Sequence, residues 1–184
     1  MKKNSVLKLS LFLSVFAALL APFMAFSQSA ADETKLINDS KAAKAKFIDA
    51  DNLMQSLFTN SAAYVIFPNV GKGAVGVGGA AGSGILFESN TPVGKAKLKQ
   101  VSIGFQFGGQ AYREVIFFES KAQLDKFKGG DFELAAQASA VAVNKGAAAN
   151  VNYKEGLMIF TQEKSGVMYE ASVAGQKFSY KAFK

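Results

Sequence analysis

The chain has 184 residues, 21 Lys and Arg against 14 Asp and Glu, and a net charge of +7. It contains no His and no Cys. That excludes a Ser-His-Asp triad, a thiol nucleophile, a disulfide framework, a Cys/His zinc site and a histidine pH switch.

Lys2, Lys3 and Lys8 precede an apolar run from Leu9 to about Met24. Ala25-Phe26-Ser27 then offers small residues before Gln28, the pattern of a secretory signal peptide. The sequence thus predicts a cleaved signal over residues 1–27 and a single domain over residues 28–184. The expected location is periplasmic or secreted, peripheral on a membrane. Without Cys a lipoprotein anchor is excluded. The remaining chain is mildly basic, which suits an anionic lipid surface. Arg113 is its single Arg and no dense basic block occurs, so nucleic acid is not an expected partner.

Residues 32–58 carry apolar side chains at three- and four-residue steps, including Leu36, Ile37, Phe47, Ile48, Met54 and Phe58. This predicts amphipathic helices, with Asp32 as a cap and a break near Ala50, where Asp49 or Asp51 starts a second helix. Lys41, Lys44 and Lys46 lie beside or opposite the stripe. Two readings stay open: a stripe packed on the core, or a helix lying on a membrane with Phe47 and Ile48 inserted.

Seven glycines fall from Gly71 to Gly84, among Ala, Val and Ile. A linker would lack the Val and Ile, and a helix would not survive so many glycines at up to about 1 kcal/mol each. Extended strands of tiny side chains are expected, closely approached by a helix, with Gly76 and Gly78 on one face. Gly71-Lys72-Gly73-Ala74-Val75-Gly76 fits G-x-G-x-x-G, but no helix can open there to hold a pyrophosphate. Lys72 is instead expected in a Gly-x-Gly turn whose N–H groups face an anion.

Lys95, Lys97 and Lys99 line one face of the approach to Val101. Val101, Ile103, Phe105 and Phe107 alternate with small or polar residues, a half-buried strand. Gly108-Gly109 is expected to turn it into a partner strand over residues 111–118. Glu119-Ser120 caps a short helix over residues 121–128, closed by Gly129-Gly130. Residues 132–143 read mostly as strand. Residues 157–162 and 167–173 read as a last hairpin, and residues 177–183 as an edge strand.

This order of features resembles the SYLF domain family. The matching segments are Phe67-Pro68, Val70-Gly71-Lys72-Gly73, Gly76-Val77-Gly78-Gly79 and Gly82-Ser83-Gly84-Ile85-Leu86. Gly108-Gly109-Gln110, Glu114-Val115-Ile116, Gly156-Leu157-Met158 and Ala171-Ser172-Val173-Ala174-Gly175 complete the likeness. Gln137-Ala138-Ser139 departs from the family's Asp-Ala-Ser type, so a role for that carboxylate does not transfer. The resemblance implies a lipid-binding, non-catalytic protein without a cofactor or metal. Phosphoinositides and actin are implied for eukaryotic members.

The expected fold is α+β: a strongly curved antiparallel sheet closing part of the way into a barrel, with the N-terminal helices and one short helix packed on it. The expected partner is an anionic phospholipid membrane. Its candidate contacts are Lys41, Lys44, Lys46, Phe47, Ile48, Lys72, Lys95, Lys97 and Lys99. The alternative is an envelope structural protein with a protein partner and no specific lipid. The sequence sets no oligomeric state. An enzyme would need a carboxylate pair such as Glu114 with Glu119, or Glu155 with Glu163.

Overall fold

The computed structural model describes residues 30–75, 77–103, 110–130, 132–135, 138–164 and 171–183. The chain divides into two compact units, Met1–Lys35 and Leu36–Lys184. The first is described over residues 30–35, which are helical. Asp32 therefore sits inside helical residues and is no cap.

In the second unit, α1 covers residues 36–50 and α2 covers Met54–Asn60. Asp51 sets the break between them. Its Oδ1 accepts the Leu53 N–H at 3.1 Å and its Oδ2 the Ala148 N–H at 2.8 Å. Among the described residues nine strands follow, with α3 (Lys121–Lys128) and a 3₁₀ turn (Ala147–Asn150) between them. The strands are β1 (Ala63–Val75), β2 (Val77–Glu88), β3 (Thr91–Ile103), β4 (Gln110–Phe118), β5 (Phe132–Glu133), β6 (Ser139–Ala142), β7 (Leu157–Glu163), β8 (Ala171–Ser172) and β9 (Lys177–Ala182). They form one sheet in the order β5-β9-β3-β2-β1-β4-β7-β6-β8. The α+β class and the curved sheet are as expected. One pair, β6 with β7, is parallel, so the sheet is mixed.

Each face of the sheet carries a core cluster. Ala43 and Phe47 of α1 and Met54 and Phe58 of α2 pack on Tyr64, Ile66, Ile85, Phe87, Val115 and Phe117. We call this the outer face. On the inner face Phe67, Phe118 and Phe178 meet Leu124 and Phe127 of α3.

The inner face is strongly concave. Phe67 on β1 and Phe178 on β9 have ring centroids 5.6 Å apart. Three strand steps separate β1 from β9, roughly 14 Å in a flat sheet. Missing side chains on β2 permit the curl. A Cβ on Gly84 would lie 2.5 Å from the Ile66 carbonyl oxygen and 2.7 Å from the Phe67 ring. One on Gly82 would lie 3.0 Å from the Asn69 carbonyl oxygen. Phe127 then fills the hollow, 5.1 Å from the Phe118 ring and 5.7 Å from that of Phe178.

A bulge on β1 adds to the bend. Ile66 pairs with Ile85 and Asn69 with Ser83, so β1 spends one extra residue there. Pro68 lies in this gap and has no N–H to give a ladder. The strand continues through Pro68 instead of ending at it. The bulge also resets the alternation, so Phe67 and Val70 both face inward.

Several local expectations are corrected. The glycines of β2 make room for neighbouring strand backbone, not for a helix; Gly76 itself lies outside the described residues. Residues 71–73 are strand, so Lys72 is in no turn. Val101 is 78% exposed, because β3 turns Ala96 and Leu98 inward and its odd residues outward. Phe105, Phe107 and the Gly108-Gly109 turn lie outside the described residues. The described neighbours of β4 are β1 and β7, not the strand through Val101. Residues 132–143 hold two short strands; of the expected last hairpin, residues 165–170 lie outside the described residues, and the described Ala171–Ser172 pairs with β6. β9 lies beside β3, and the two-residue β5 flanks it only at Lys177 and Phe178, so the rest of β9 is an edge among the described residues.

Gly84→Val should destabilise the protein by about 1–3 kcal/mol or more, as overpacking does. Gly71→Ala should change stability little, since its Cβ would meet nothing within 4 Å. Urea denaturation of both variants checks this. Equal stability would remove the close-approach account of the curl.

Candidate functional site

The outer face is only partly covered by helices. On β3 and β9 it carries lysines in register. Lys95 stands opposite Lys181, Lys97 opposite Ser179, and Lys99 opposite Lys177. Their inward neighbours Ala96, Leu98 and Phe178 are core, so all five lysines point outward. Lys97, Lys99, Lys177 and Lys181 are exposed and Lys95 is half-buried. Lys177 bridges Glu133 at 3.3 Å. The other four have no ion pair among the described residues. On β2, Ala81 and Ser83 adjoin Lys99 and Lys97, leaving a low surface beside the lysines. Val101 extends the same row and is exposed.

The structure separates the predicted residues. Lys95, Lys97 and Lys99 form one block, and Lys177 and Lys181 join it. Lys41 and Lys46 are exposed on α1, with Lys46 bridging Asp49 at 3.3 Å. Lys44 is half-buried. Its Nζ lies 4.8 Å from the centre of the Phe58 ring and 5.0 Å from that of Tyr64. It donates to the Tyr64 hydroxyl at 3.0 Å and to Asn90 Oδ1 at 2.6 Å. Burial lowers its pKa, and raises that of Tyr64 to about 12. Lys44 is thus a tether of α1 to the sheet; cation–π contacts of this kind contribute about 0.5–2 kcal/mol. Phe47 is fully buried and Ile48 half-buried on the same core, so neither is presented for insertion. Lys72 pairs with Ala80 and is half-buried on the inner face, apart from the lysine block.

The inner face holds a polar cluster that sequence reasoning missed. Glu114 is fully buried, and Thr161 stands opposite it on β7. Gln176 Nε2 donates to Glu114 Oε2 at 3.0 Å and to the Tyr112 hydroxyl at 3.3 Å. Glu114 Oε1, Thr161 Oγ1 and Gln176 Oε1 are buried with no partner among the described residues. Burial raises the Glu114 pKa from 4.5 to about 8, against the smaller lowering by Gln176. Burial and the Glu114 charge both raise the Tyr112 pKa. Alternation with Tyr112 and Ile116 was the available signal, outweighed by the usual exposure of strand carboxylates.

The carboxylate pairs considered for hydrolysis do not converge. Glu114 is buried mid-strand, whereas Glu119 is exposed beyond the end of β4. Glu155 and Glu163 lie near opposite ends of β7. At ~3.3 Å per residue each pair is separated by roughly 15 Å or more, beyond the spacing of glycosidase carboxylates. The G-x-G-x-x-G segment runs from β1 toward β2 and opens no helix.

Residues 99–182 match the model of the Ysc84 family, described as Las17-binding protein actin regulator. The match is to a SYLF-type domain and covers less than half of the chain. The match begins at Lys99, inside the lysine block, and takes in β4, α3 and the strands through β9. The glycine-rich strands that first suggested SYLF precede it. The chain is also similar to Beta cell expansion factor A of Aeromonas veronii, 31% identical over 71 residues. That alignment covers 39% of this chain and 27% of the relative, so the two share about a quarter of the relative's length.

The Glu114 carboxyl makes stability depend on pH. The folded state keeps its proton up to about 8, while the unfolded chain releases it near 4.5. Between these values the native state binds the extra proton, so stability falls as pH rises, by up to about 1.4 kcal/mol per unit. Above pH 8 the slope ends. Glu114→Gln should flatten this slope in urea titrations from pH 5 to 9. An unchanged slope would mean that Glu114 titrates normally.

Proposed function

We propose that the chain is an exported, non-catalytic lipid-binding protein that docks on anionic phospholipid through the outer face of β3 and β9. One observation carries the reading: Lys95 stands directly opposite Lys181, and neither has an ion pair among the described residues. Like charges opposed across a sheet are destabilising. An anionic bilayer offsets that repulsion, and a low surface of small side chains lets the phosphates approach. Lys41 and Lys46 on α1 add charge to the same side of the sheet. Lys44, Phe47 and Lys72, each engaged in the fold or facing inward, have no part in the contact. Ile48 is left to the core as well.

Export is supported by the charged, apolar and small-residue order of residues 1–27. Among the described residues no helix is long and apolar enough to cross a membrane. The family's description as an actin regulator and the relative's printed name do not enter the proposed contact.

The protein should co-sediment with vesicles of phosphatidylglycerol and phosphatidylcholine, and less so as salt rises. Lysines near such a surface contribute about 1 kcal/mol each. Lys97→Glu, Lys99→Glu and Lys181→Glu together should therefore weaken binding more than roughly 100-fold, while these exposed changes leave the fold intact. A folded triple variant that binds like wild type would overturn the reading. Salt-independent capture by an envelope protein, with no vesicle binding, would favour the alternative of a protein partner.

A further inference from the structure

The curl of the sheet brings its two ends to one seam. One end is β5; the other is β7 with β6 and β8. β6 pairs with β7 only through Val141 and Ala142, opposite Phe160 and Thr161. The first residues of β7 have no described strand on that side. A pocket of about 640 Å³ occupies the gap.

Both ends of the sheet line this pocket. Phe132 of β5 and the following Leu134 face Val141 of β6 and Leu157, Met158 and Ile159 of β7. Leu134, Met158 and Ile159 are buried, so the pocket reaches into the protein between the two cores. Its rim has another character. Lys126 of α3 and Lys154 border it, and both are exposed. Neither has an ion pair among the described residues. The rim carboxylates are engaged, Glu133 with Lys177 and Glu155 with another group.

We propose that this seam binds one long-chain fatty acid, with its chain along the buried wall and its carboxylate held at the rim by Lys126 and Lys154. The size lies in the range of about 300–1,000 Å³ found for ligand pockets. An apolar wall below two cations that have no ion pair among the described residues matches an apolar tail with one anionic head. Gln123, Ser139 and Asn152 also line the pocket, beside the apolar wall. The inference rests on the lipid reading for its ligand class, but on residues at the seam and not on the outer lysine face.

Calorimetric titration of the protein with octanoate, decanoate and dodecanoate tests it. One site per chain is expected, with affinity rising about fourfold per methylene, as burial of each CH₂ implies. 1-Decanol should bind at least tenfold more weakly than decanoate. Lys126→Glu with Lys154→Glu should cost at least tenfold, and Ala138→Trp, which fills the pocket, should abolish binding. The rim pair is exposed and keeps the test valid even if Ala138→Trp does not fold. No saturable binding at any chain length, or wild-type affinity in the rim variant, overturns the proposal. The triple change at Lys97, Lys99 and Lys181 should leave decanoate affinity unchanged. Vesicle binding without fatty-acid binding defeats this inference alone; fatty-acid binding without vesicle binding supports it and defeats only the surface reading.

Discussion

The fold depends on an absence of side chains at two positions of β2. Gly84 and Gly82 face the concave side of the sheet, where the backbone of β1 already occupies the space a Cβ would take. Because nothing stands there, β1 folds over β2 and Phe67 reaches Phe178, three strands away. The Pro68 bulge works in the same direction by turning both Phe67 and Val70 inward. Phe127 of α3 then closes the hollow from the open side, touching Phe118, Phe132 and Phe178. A chain without disulfides is held here by interlocked aromatic rings, which contribute beyond their buried area.

The curl assigns different work to the two faces. The inner face is filled by rings and holds the buried Glu114 cluster. The outer face is shared by α1 and α2 on one side and by lysines on the other. Lys44 marks the border. It is a lysine by sequence, yet its ammonium lies among the Phe58 and Tyr64 rings and fixes α1 in place. The lysines of β3 and β9 have no such partner rings and keep their charge toward solvent. The same bending that buries the aromatics brings β5 toward β7 and leaves the seam between them.

Features set by local periodicity were legible in the sequence. The apolar stripe of α1, its end near Ala50 and the start of α3 at Lys121 follow from residues three or four apart. The glycine strands were legible as extended because no other backbone tolerates their composition. Pairing was not legible. β4 lies between β1 and β7, and β9 lies beside β3, so the neighbours are remote in sequence. The opposition of Lys95 to Lys181 depends on a register across more than eighty residues, and no local signal carries it. Glu114 was the reverse case. Its alternation with Tyr112 and Ile116 pointed inward, but the general solvation of carboxylates pointed outward, and only the packed interior decides between them.

The central claim is that the uncovered lysine face of β3 and β9 is the surface that meets lipid. The chain has no Cys, so single labels can be placed cleanly. Val101→Cys, on that face, and Ala122→Cys, exposed on α3, should each be labelled with a polarity-sensitive dye and mixed with phosphatidylglycerol vesicles. The account predicts a blue shift at position 101 and none at position 122. A shift at 122 with none at 101 would contradict it.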